Sequence, residues 1–136
     1  MIREQKISIP SSSGNVVIVE KLINDICSSY QVSEDHYGNI LVAVTEAVNN
    51  AIHHGNKADP TKQVDVEFKA TDKHISFVIH DQGTGFDPSA LPDPTNPENI
   101  EKPSGRGVFL MKHLADKVEF SDEGRTVLLD FNIIPN

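Results

Sequence analysis

Residues Tyr37–Asn56 read YGNILVAVTEAVNNAIHHGN. The stretch predicts a helix of about five turns, yet its only formally charged residue is Glu46. The chain is 24% charged, so a helix of this length with an ordinary solvated face would carry about four or five charges. Both faces are therefore expected to be covered, one by the core and the other by something that needs a single carboxylate. With Glu46 at zero and steps of about 100 degrees per residue, Asn50 lies about 40 degrees away and His53 about 20 degrees to the other side. Leu41, Val44, Val48 and Ala51 gather on the opposite side, facing the core. Glu46 and Asn50 share the second face, flanked by Ala43 and Ala47, whose small side chains leave space.

Working outward, Ser33-Glu34-Asp35 supplies the cap and the acidic first turn of this helix, and Gly55 ends it. Before it, Lys6–Ile9 alternates as a short edge strand stopped by Pro10. Ser11–Ser13 can cap a helix near Asn15–Tyr30. After it, Val64–Ala70 and Ile75–His80 alternate as strands, with Asp72-Lys73 as the spacer of a hairpin. Next comes a segment holding five of the eight prolines, between Pro88 and Pro103. A loop this long inside a compact domain is usually functional. Gly105–Ala115 then reads as a helix, and Val118–Phe120 and Thr126–Ile133 as two strands joined near Glu123-Gly124. The order predicts an α+β fold: a two-layer sandwich with helices on one face of a mostly antiparallel sheet.

At 136 residues the chain is expected to form one domain, 1–136, with a sizeable core. The net charge of −8 and the absence of any Lys/Arg cluster argue against nucleic acid and against an anionic membrane as partners. The lone Cys27 excludes an internal disulfide and a Cys-rich zinc site. MIREQKISIP lacks the apolar run of a signal peptide, and no stretch is long enough to span a membrane. The expected location is cytoplasmic.

Three short motifs can carry chemistry. In the first, the Glu46 carboxylate can deprotonate a hydroxyl, and an amide oxygen at Asn50 suits Mg²⁺. In the second, Asp81-Gln82-Gly83-Thr84-Gly85 follows a strand. Gly83 and Gly85 permit close approach of a ligand, while Asp81 can accept a hydrogen bond from an exocyclic amine. In the third, Ser104-Gly105-Arg106-Gly107 opens a helix whose first N–H groups can meet phosphate oxygens. No Walker motif and no dinucleotide fingerprint is present. His53 and His54 lack a third metal ligand at the usual spacing and fit second-layer or surface roles. Each motif alone also fits an ordinary helix face, turn or helix start.

Taken in order, TEAVNNAIHHGN, IHDQGTGFDP and SGRGVFLMKHLAD resemble the ATPase superfamily of gyrase, histidine kinases and mismatch-repair proteins. The resemblance is strongest to its single-domain branch, the anti-sigma-factor serine/threonine kinases of bacterial partner-switching systems, and it covers nearly the whole chain. It implies a Bergerat-type site for ATP and Mg²⁺. In that site Asp81 binds the adenine amine, helped by Thr126 through a water, and Asn50 holds the metal. Gly83 and Gly85 shape the floor, while Gly105, Arg106, Gly107 and Val108 line the phosphates. Residues 86–104 form the lid, and Glu46 acts as general base on a serine or threonine hydroxyl. Nucleotide and metal would then be the missing cover of the helix. The implied partners are a small antagonist protein and a sigma factor, and a homodimer fits because family members pair. Two alternatives stand beside the kinase: a non-catalytic regulator that sequesters a partner according to nucleotide state, and an isolated ATPase or orphan sensor module acting on histidine.

Overall fold

The computed structural model describes residues 3–83 and 103–133, with 103–106 by their backbone. Five strands, β1 (Arg3–Pro10), β2 (Gln63–Ala70), β3 (His74–His80), β4 (Lys117–Ser121) and β5 (Thr126–Asn132), form one sheet in the order β1-β2-β3-β5-β4. All four pairings are antiparallel. Three helices, α1 (Val16–Ser29), α2 (Glu34–Asn50) and α3 (Pro103–Leu114), complete the described elements of any length, giving the α+β architecture that the sequence predicts.

Alternation decides which side of the sheet is covered. Val64, Val66 and Phe68 on β2, Ile75, Phe77 and Ile79 on β3, and Val127, Leu129 and Phe131 on β5 are all buried. They meet Val19, Ile23 and Ile26 of α1 and Ile40, Val44 and Val48 of α2 in one cluster. Fully burying a side chain of this size contributes about 1.5–3 kcal/mol. Cys27 lies in the same cluster, and burial pushes its thiol up to about 11. The opposite face of the sheet is polar, with cross-strand pairs such as Glu4 with Lys69 and Lys6 with Asp65.

Several details are decided by the structure. The hairpin between β2 and β3 needs no glycine, because Thr71 Oγ1 accepts from the N–H groups of Lys73 and His74. β3 is central, pairing by register with β5 as well as with β2, and the edges of the sheet are β1 and β4. The second helix stops being α-helical at Asn50, and Ala51–Gly55 form a π-helical turn. α3 starts at Pro103, two residues earlier than its glycines suggest, as Pro is well suited to a first helical position. Of the expected lid, only the backbone of Pro103 and Ser104 is described; the rest, and Gly85 with it, lies outside the described residues.

Candidate functional site

α2 begins as the sequence predicts, with Ser33 Oγ accepting from the His36 N–H and acids in the first turn. Its uncharged second face is covered first by protein. Ala43 and Ala47 are buried, and α3 lies so close that a Cβ on Gly107 would sit 2.8 Å from Asn50 Nδ2, 3.1 Å from Asn50 Oδ1 and 3.2 Å from Glu46 Oε2. Part of the cover that the resemblance assigns to nucleotide and metal is thus the helix α3. Glycine is needed at 107 for this approach rather than for a positive φ. The heads of Glu46 and Asn50 converge on that one point, both half-buried.

The π-turn re-aims the side chains beyond Asn50. Wider than an α-turn, it delays each of them around the axis, so His54, rather than the His53 of the α-helical projection, reaches the cavity. Burial, His53 and Lys57 push the His54 pKa down. The turn also brings Gly55 against the Asp81 carboxylate, with a Cβ position 2.5 Å from Oδ2. Gly83 packs its own backbone onto Gly55 O. Asn56, wholly buried, then locks three segments together. Its Nδ2 donates to Ser11 Oγ at 2.7 Å and to Gln63 O at 3.0 Å, and its Oδ1 accepts the Gln82 N–H at 2.7 Å.

Asp81 extends the alternation of β3 by one residue, which turns it toward the helices and leaves it 5% exposed. Its Oδ1 accepts the Gly83 N–H at 2.8 Å. Burial pushes its pKa up; the Gly83 hydrogen bond, His80 and Arg125 pull the other way. Asp81 and Asn50 line one cleft of about 540 Å³, including its mouth, with apolar walls from Ala47, Ala51, Ile79, Met111, Phe120 and Val127. An acceptor-only carboxylate in an apolar cleft suits a flat base carrying an amine.

Two expected site residues are not brought there. Thr126 faces the other side of the sheet, where its Oγ1 lies 2.6 Å from His80 Nδ1. Strand alternation is the reason: the register pairs His80 with Thr126, so Arg125, not Thr126, lies across from Asp81 and on the cleft. The Val108 side chain is buried in the core with Met111, so only its backbone could meet a phosphate. Gly105 and Arg106 fall in the first turn of α3, where Pro103 has no N–H to offer and the N–H groups of Ser104 and Gly105 have no partner within the helix. Sequence reasoning did not single out Gly55, Asn56 and Arg125 as site residues. Arg125 was within reach by counting across β3 and β5; Asn56 gave no periodic signal.

The amide oxygen of Asn50 fits Mg²⁺, which keeps several waters and takes further ligands from phosphates, and the Glu46 carboxylate beside it is left to take a proton. Among the described residues no group of three or more His, Cys, Asp or Glu could hold a metal ion by itself. No helix among them is long and apolar enough to cross a membrane.

A family model described as a histidine kinase-like ATPase domain matches residues 9–131. The serine-protein kinase RsbW of Bacillus licheniformis is 33% identical over 125 residues, covering 87% of this chain and 78% of that protein. The RsbW of Staphylococcus epidermidis is 31% identical over 127 residues, covering 88% of this chain and 80% of that protein. Among solved structures, one of the RsbU and RsbW domains of a Mycobacterium tuberculosis protein superposes with a TM-score of 0.63 at 13% identity. It covers 96% of this chain and 31% of that one, a likeness of fold.

Proposed function

The chain belongs to the histidine kinase-like ATPase domain family, and from that premise we propose that it is an ATP-dependent serine/threonine protein kinase and anti-sigma factor of a partner-switching system. Its substrate is a hydroxyl on a small antagonist protein, and its second partner is a sigma factor. A second copy of the chain is the proposed companion in a homodimer. The observation that carries this reading is the convergence of Glu46 and Asn50 under Gly107, beside the cleft that holds Asp81.

The residues divide the work. Asp81 accepts the adenine amine, and the apolar walls of the cleft take the faces of the base. The backbone at Gly105 and Arg106, in the first turn of α3, would meet the phosphates. Asn50 would hold Mg²⁺, which would neutralise charge on the phosphates. Glu46 takes the proton of the incoming hydroxyl as its oxygen attacks the γ-phosphorus, and the bond to the β–γ bridging oxygen breaks, leaving ADP. Most of the acceleration comes from position and charge, as is usual for phosphoryl transfer.

The test begins with calorimetric titration of ATP, with and without Mg²⁺, on the wild type and on Asp81→Asn. Binding that needs Asp81 and strengthens with Mg²⁺ supports the site; no binding at millimolar ATP removes it. Transfer of the γ-phosphate to a small protein co-isolated with the chain is then measured for wild type and Glu46→Gln. Acid-stable phosphoserine or phosphothreonine formed by the wild type, and lost with ATP binding intact in Glu46→Gln, is the expected result. An unchanged transfer rate in that variant overturns the role of Glu46, and ATP binding without any transfer leaves a sequestering module.

A further inference from the structure

Arg125 lines the same cleft as Asp81. Its backbone C=O accepts the Asp81 N–H at 2.9 Å, so the two residues stand side by side on neighbouring strands. From its side chain, Nε donates to Gly83 O at 2.7 Å. Nη1 reaches Asp122 O at 3.3 Å, Asp122 Oδ1 at 3.4 Å and Glu123 Oε2 at 3.5 Å. The turn that supplies these acceptors is unusual: Asp122, Glu123 and Gly124 take φ values of 52°, 56° and 86° in succession. Two of these are non-glycine residues in the left-handed region, a conformation that persists only when its surroundings impose it. One guanidinium thus ties a constrained turn to the loop leaving β3.

Gly83 is the link to chemistry. The residue whose C=O accepts from Arg125 also gives its N–H to Asp81 Oδ1. That bond engages one carboxylate oxygen and sets the direction of the other. Resting on the nucleotide-site reading, we propose that Arg125 is a positioning residue for base selection: by holding Gly83 it fixes the Asp81 carboxylate in the orientation that accepts the amine of adenine. The same fixed acceptor disfavours guanine, which presents a carbonyl oxygen in place of the 6-amine. Discrimination built on one buried acceptor collapses if that acceptor can turn away.

The experiment compares ATP and GTP binding by calorimetry for wild type, Arg125→Met and Arg125→Lys, with a thermal melt of each. Methionine keeps an apolar stem on the cleft and removes all donors; lysine keeps the charge without the fork that bonds Gly83 and the turn at once. Both variants are expected to bind ATP about tenfold more weakly, the loss of roughly one charged hydrogen bond, while GTP binding changes little. The ATP-to-GTP preference therefore shrinks by about the same factor. Equal weakening of both nucleotides, or an unchanged preference, overturns the proposal, because a merely structural role lowers the active fraction for both alike. If Arg125→Met fails to fold, Arg125→Lys decides: wild-type preference in that variant refutes the role. Wild-type protein that binds neither nucleotide instead removes the underlying site, a distinct failure.

Discussion

Gly107→Ala separates helix stability from site geometry. In the interior of an exposed helix, alanine is worth about 0.8–1.0 kcal/mol over glycine. Here the new methyl would stand 2.8 Å from Asn50 Nδ2 and 3.2 Å from Glu46 Oε2, so Asn50 must retreat by roughly half an ångström or more to reach ordinary contact. The far end of a half-buried side chain can do that, at a cost of about 0.5–1.5 kcal/mol in rotamer strain. The two terms nearly cancel, and unfolding in urea should place the variant within about 1 kcal/mol of wild type. Function has no such compensation. Displacing the metal-holding amide and crowding the base should lower phosphate transfer by on the order of 10–100-fold and weaken the Mg²⁺ dependence of ATP binding. The measurements are urea unfolding, ATP titration with and without Mg²⁺, and transfer to the partner protein. Wild-type transfer and wild-type Mg²⁺ dependence in a stably folded variant would show that the approach of α3 to Glu46 and Asn50 does not constrain the site.

The buried polar groups give two further outcomes. Asp81 is pushed above the ordinary carboxylate value of 3.8, so the folded state holds its proton more tightly than the unfolded chain does. Its ionisation therefore makes a contribution that lowers stability as pH rises from about 3.8 through the raised value. Adenine binding needs the ionised form, so ATP affinity should fall on acidification at a pH above 3.8, while Asp81→Asn shows weak binding without that titration; calorimetry across pH reads both. Asn56→Ala leaves the Gln82 N–H and the Gln63 C=O without their present partner, and should cost roughly 2–3 kcal/mol in urea unfolding. Nucleotide affinity should fall with it, since the same amide holds the loop behind Asp81; unchanged stability would mean that water replaces it freely.

What the sequence determined by itself was everything governed by local spacing. Residues four apart on a helix share a face whatever surrounds them, so Glu46 and Asn50 were legible as a pair. Alternation in Val64–Ala70 and Ile75–His80 named the core side of the sheet, and therefore the side to which Asp81 turns. The three ordered motifs pointed to the ATPase family that the comparisons support. Tertiary structure decided what depends on partners distant in sequence. Cross-strand register placed Arg125 beside Asp81 and sent Thr126 to the far face, a displacement by one residue that period-two geometry makes absolute. The π-turn after Asn50, bound up with the packing of Gly55 and Gly83, chose His54 over His53. The bare face of α2 was rightly read as covered, but only the close approach of Gly107 showed that a helix supplies part of the cover. Asn56 carried no pattern at all, because its three hydrogen-bonding partners meet only once the sheet has closed around it.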